Sequence, residues 1–132
     1  MHIFTIGILT IFLHSITEGG IQQSKSWADF ESMMRRGGSY CLMLVCDYNK
    51  DEDVKKLEVY CDYYKTVKCY YGLEGDRDRG QPQTSFDKHF LNKGAPAFFF
   101  FKNGKQVTVL QHDSTKSPYS VQDVAAAFKS VQ

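Results

Sequence analysis

Apolar residues recur at helical spacing in SWADFESMMRR, where Trp27, Phe30, Met33 and Met34 fall on one face. Ser26 suits the N-cap with Asp29 three residues on, and the Gly37-Gly38 pair ends the helix. YCLMLVC (residues 40–46) is apolar without alternation, the pattern of a strand covered on both faces. DEDVKKLEVYCDYY (51–64) opens on three acids, which favour a helix N-terminus, and places Val54, Leu57, Cys61 and Tyr64 on one face. VKCYY (67–71) reads as a short strand, and GLEGDRDRGQPQ (72–83) as a polar loop. TSFDKHFLNK (84–93) is expected to be a short helix stopped by Gly94. AFFFF (97–101) is a second doubly covered strand. Asn103-Gly104 signals a type I′ hairpin, and KQVTVLQ (105–111) is the return strand. SVQDVAAAFKS (120–130) is the clearest helix. Its Ser120 and Asp123 form a capping box, and Val121, Val124, Ala125 and Phe128 form the apolar face.

The predicted order is therefore α-β-α-β-α-β-β-α. Strands joined through helices are expected to run parallel with right-handed crossovers, and the hairpin makes the last pair antiparallel. This is an α/β chain with a mixed central sheet and helices on both faces.

The amino-terminal stretch MHIFTIGILTIFLHSITEGG departs from these patterns. Ile3 to Leu13 is an apolar run followed by the small residues Ser15, Thr17, Gly19 and Gly20. That is the layout of a secretory signal peptide, and the run falls short of the about 20 apolar residues a membrane span needs. Residues 1–19 are assigned to the signal and 20–132 to one domain, with cleavage between Thr17 and Gly20. A product secreted to the exterior or held in the secretory-pathway lumen, with no membrane association after cleavage, is the expectation, and the terminal KSVQ is not an ER-retention signal. The 132 residues carry a formal net charge of +1 with no basic stripe, which argues against nucleic acid as a partner. At 42% hydrophobic the chain can bury a core.

Residues 92–107, NKGAPAFFFFKNGKQV, carry a resemblance. Gly94, Pro96, the strand Phe98 to Phe101 and the turn Lys102-Asn103-Gly104-Lys105 resemble the thioredoxin family in order and spacing. LMLVCDY (42–48) is similar to that family's central strand, and the likeness spans about residues 27 to 131. The resemblance implies a thioredoxin-like three-layer α/β/α sandwich. It also implies a cis peptide bond before Pro96, beside a groove where backbone at Ala95 and Pro96 can meet a bound peptide.

The same resemblance implies a Cys-x-x-Cys just after the central strand, where a helix N-terminus lowers the thiol pKa. Residues 47–60, DYNKDEDVKKLEVY, hold no cysteine in any register. Asp51, Glu52 and Asp53 stand at the helix start instead, and carboxylates raise the pKa of a nearby thiol. Dithiol reductase activity is therefore expected to be absent and no catalytic residue is assigned, with Cys46 the one alternative nucleophile for thiol–disulfide exchange. The expected function is a redox-inactive, monomeric binding or chaperone-like module. Asp47, Asp51, Glu52, Asp53, Ala95 and Pro96 would form its contact surface for a protein or peptide.

The four cysteines, Cys41, Cys46, Cys61 and Cys69, lie in a chain bound for a disulfide-permissive compartment. Cys61 lies about 15 Å along its helix, level with Cys41 at the start of the central strand. A Cys41–Cys61 disulfide is favoured, with Cys61–Cys69 as competitor. The cysteine spacing lacks the Cys-x-x-Cys of zinc sites. Asp47, Asn49, Asp51 and Glu58 imitate a calcium loop, but Glu52 stands where its sharp turn needs glycine. No metal or other cofactor is expected. Tyr63 and Tyr70 are expected at the surface, and His89 and His112 have no assigned role.

Overall fold

The computed structural model describes residues 20–91, 96–111 and 120–132. The proposed signal segment, Gly94, Ala95 and His112 lie outside the described residues. The described residues hold five strands and four α-helices: β1 Gln22–Gln23, α1 Trp27–Met34, β2 Ser39–Cys46, α2 Lys50–Tyr63, β3 Val67–Glu74, α3 Ser85–Phe90, β4 Ala97–Lys102, β5 Lys105–Gln111 and α4 Val121–Val131. The sheet order is β1-β3-β2-β4-β5. β1 and β2 run parallel to β3, while β4 runs antiparallel to both β2 and β5. Among the described residues no helix is long and apolar enough to cross a membrane.

Side-chain caps fix the starts of α1, α3 and α4, those of α1 and α4 as the sequence predicts. Ser26 Oγ accepts from the Asp29 amide, and Thr84–Asp87 and Ser120–Asp123 form full capping boxes. α3 ends earlier than expected, with Leu91 in the left-handed region at φ 55°. The hairpin turn places Asn103 at φ 51° and Gly104 at φ 85°, the two positive values that type I′ requires. β1, not expected from the sequence pattern, is a two-residue strand on the outer edge of β3.

The continuous apolar runs divide by alternation between two cores. Cys41, Met43 and Val45 of β2, with Phe98 and Phe100 of β4, pack under α2 and α4 against Leu57, Val124 and Phe128. Tyr40, Leu42 and Leu44, with Ala97, Phe99 and Phe101, pack under α1 and α3 against Phe30, Phe86 and Phe90. The middle layer is apolar on both faces because helices cover both, giving three layers. Tyr70 belongs to the second core, ringed by Phe30 and Tyr40, and not to the surface as expected; Tyr63 is exposed.

One expectation about direction fails. β3 and β4 are joined through a helix, yet β4 does not run parallel to β3. α3 has six residues and rises about 9 Å, against about 26 Å for the eight-residue β3, so it cannot carry the chain back along the strand. The chain enters β4 at the end where β3 left it.

Candidate functional site: the acidic end of the sheet

β2 and β3 run side by side to their carboxyl ends, where Cys46 pairs with Glu74. Beyond β2 the chain makes a single 3-10 turn, Asp47–Asn49, and enters α2 with Asp51, Glu52 and Asp53 in the first turn. Beyond β3 it forms the loop 75–84. One carboxylate oxygen ties both ends of that loop. Asp87 Oδ2 accepts from the Gly75 amide at 2.8 Å, the Thr84 amide at 2.8 Å and the Thr84 hydroxyl at 3.3 Å. Gly75 must be glycine here, because a Cβ would collide with the Pro82 carbonyl oxygen.

Inside the loop the Asp76 amide donates to Gln81 Oε1, and Asp76 Oδ1 accepts from the Asp78 amide. Arg79 reaches back across the end of the sheet. It pairs with Asp76 at 3.6 Å, and its guanidinium carbon lies 4.4 Å from the centre of the Tyr48 ring. The loop is thereby fastened to the turn that follows β2.

Four carboxyl groups, those of Asp53, Glu74, Asp76 and Asp87, surround the Cys46 thiol. Burial first, and then Glu74, Asp76, Asp87 and Asp53 in that order, push its pKa up to about 11. A thiol at that value holds on the order of one part in ten thousand as thiolate at neutral pH. Glu74 is itself buried, and its Oε1 has no hydrogen-bond partner. Burial, and secondly the Asp87 carboxylate, raise the Glu74 pKa to about 7. Burial also raises Asp53, opposed by Lys56 and supported by Glu52.

The predicted site residues differ in exposure. Asp47, Asp51 and Glu52 are exposed, whereas Asp53 is buried. Asp51 meets Lys50 at 3.9 Å and lines a shallow cleft of about 310 Å³ with Ile21, Val54 and Tyr71. Pro96 is half-buried at the entry to β4, where strand register carries it level with Val45. Ala95 is outside the described residues. Asp51 and Glu58, the lookalike calcium ligands, both stand on α2, and among the described residues no three ligating side chains converge on a metal position.

The favoured disulfide is corrected. Cys61 bonds Cys69, with Cα atoms 6.3 Å apart, while Cys41 and Cys46 are free. The level along the sheet was right and the strand was wrong: by its last turn α2 lies over β3. Cys41 is one strand across, in register with Cys69 but sealed in the core beneath Leu57 and Phe128. Burial raises its thiol well above the ordinary range.

Glu74, Asp76, Arg79 and Asp87 were missed by sequence reasoning, which placed Glu74 in a solvated loop. β3 in fact runs to Glu74, three residues past the expected end. A signal for Asp87 was present, since Thr84-x-x-Asp87 ahead of apolar residues has the capping-box form. Nothing local marked Glu74.

No protein-family model and no curated protein matches the chain. Solved structures do. A thioredoxin from Plasmodium falciparum aligns over 85% of this chain and 100% of its own, at TM-score 0.60 and 15% identity. Thioredoxin from Malassezia sympodialis covers 86% and 94% at TM-score 0.61 and 17% identity. Oxidised thioredoxin O1 from Arabidopsis thaliana covers 86% and 98% at TM-score 0.57 and 15% identity. The fold is thioredoxin-like. At these identities the likeness concerns the backbone arrangement alone, so function has to be argued from the thioredoxin-like chain's own residues.

Proposed function

We propose that this thioredoxin-like protein is a secreted, monomeric binding or chaperone-like module that does not exchange disulfides. The observation that carries the reading is the first turn of α2. Asp51, Glu52 and Asp53 stand where the fold's dithiol would be expected, and the remaining thiol nearby, Cys46, is held protonated by burial first and then by the carboxylates around it. A disulfide-exchange enzyme needs thiolate at working pH, and this site opposes its formation. The partner face of this reading is the acidic end of the sheet, from Asp47 to Asp53 with Pro96 alongside. Its exposed acids and the half-exposed Tyr48 favour a polar protein or peptide surface over nucleic acid.

An insulin-reduction assay with dithiothreitol as electron source tests the reading. The expected rate is that of dithiothreitol alone, unchanged in Cys46→Ser. Turnover above that background that disappears in Cys46→Ser would replace this reading with single-thiol exchange through Cys46.

A further inference from the structure

Glu74 poses a physical problem that the fold does not solve with a hydrogen bond. It ends β3 with Oε1 buried and unpartnered, and the charge acting on it is a second buried carboxylate, Asp87. Two adjacent buried carboxylates are not both stable as anions without a cation between them. Among the described residues, the groups facing Glu74 from the neighbouring elements do not supply one. β2 presents Cys46, in register with Glu74, and α3 presents Asp87, while Asp53 of α2 and Asp76 of the loop bear on the neighbouring Cys46 thiol. Among the described residues, Arg79 is engaged with Asp76 and Tyr48, and the charge of Lys56 acts on Asp53. His89 of α3 stacks on Trp27, and its charged neighbour is Glu31.

Asp87 is also the carboxylate that closes the loop 75–84, through the Gly75 and Thr84 amides. Gly75 is bonded in sequence to Glu74. Any displacement of Asp87 away from an ionised Glu74 therefore pulls on both ends of the loop at once.

We propose that Glu74 and Asp87 form a proton-dependent clasp on the loop 75–84. With its proton on, Glu74 sits beside Asp87 without repulsion, and the loop stays fastened to Tyr48 through Arg79. Loss of that proton loosens the Asp87 hydrogen bonds and frees Arg79 from the Tyr48 ring. The proposal rests on the reading of this end as the partner face and adds its regulation: the loop opens as pH rises through neutrality. The raised Glu74 pKa, about 7, places the change in that range.

The test uses the full disulfide-bonded chain. Carbon-detected NMR of the Glu74 carboxyl, with the Gly75 and Thr84 amide shifts, is followed between about pH 5.5 and about pH 8.5. One shared transition is expected at all three positions. In Glu74→Gln it vanishes from both amides. Tryptic cleavage after Arg77 and Arg79 reads the opening directly. The wild-type rate is expected to rise several-fold more than the Glu74→Gln rate over the same interval, the shared pH dependence of trypsin cancelling in the ratio. A Glu74 carboxyl that titrates in the ordinary glutamate range would overturn the clasp, as would Gly75 and Thr84 amides that titrate equally in Glu74→Gln. So would cleavage rates that stay in constant ratio. The carboxyl titration needs no variant, so a poorly folding substitution leaves the proposal testable. Insulin turnover through Cys46 would overturn the proposed function and leave the clasp standing.

Discussion

At the hairpin end of the sheet, polar groups are matched as tightly as the apolar ones. Asn103 Oδ1 accepts from the Gly38 amide, and the Asn103 amide donates to the Gly38 carbonyl. Ser39 Oγ donates to the Val131 carbonyl, and Lys102 Nζ donates to the Gln132 carbonyl. The Cys61–Cys69 disulfide ties α2 to β3 nearby, and Phe128 is stacked by Tyr60 and Tyr64 and met edge-on by Phe100. The opposite end gathers four carboxyl groups around one thiol and leaves Glu74 Oε1 without a partner. Buried polar groups are normally satisfied, and exceptions concentrate where a protein does something besides fold. The contrast teaches that one sheet carries a stabilising end and an end held under electrostatic tension.

The difference should appear as unequal responses to substitution. Phe128→Ala opens a void among stacked aromatic rings and is expected to cost about 3–5 kcal/mol in denaturant unfolding. A loss below about 1 kcal/mol would mean that this end is not the anchor it looks to be. Breaking the Cys61–Cys69 bond by paired serine substitution is expected to cost about 2–3 kcal/mol, from the short loop it closes. Alkylation of the native wild-type protein should find no thiol at Cys61 or Cys69, with Cys41 reacting only after denaturation. Labelling of Cys61 would contradict the pairing.

Glu74→Gln should act in the other direction. Glu74 has a higher pKa folded than the unfolded value of about 4.3, so folding favours its protonated form. That contribution is complete below the unfolded value and is lost as pH rises through about 7. The amide should therefore match wild type at acid pH and exceed it by about 1–3 kcal/mol at alkaline pH. Melting temperatures across the range measure this, and a constant difference would remove the tension from the acidic end. The smallest effect is expected from Arg79→Ala, which removes an exposed ion pair and the contact over Tyr48, together worth about 0.5–1 kcal/mol. Its clearer readout is faster amide exchange in the loop 75–84, with the hairpin unaffected.

Much of this architecture was legible residue by residue because its causes are local. Ser26, Ser120 and the Asn103-Gly104 pair act within three or four neighbours, so the elements they start or turn stand where the sequence puts them. The unalternating runs 40–46 and 97–101 require cover on both faces, which is enough to predict a three-layer arrangement. The lack of a dithiol after the central strand is a fact of sequence that no packing can change. What the sequence left open depended on which strand a helix comes to rest upon, and where chain-distant groups meet. Cys61 chose Cys69 over Cys41 because α2 finishes over β3. β4 reversed because α3 is too short to return the chain along the sheet. Glu74 looked like one more solvated loop acid until β3 extended beside β2, setting it against Cys46 and beneath Asp87. Caps, turns and strand periodicity are local energies that a sequence displays, whereas burial of a charge and the choice of a thiol's partner are settled only when the layers close.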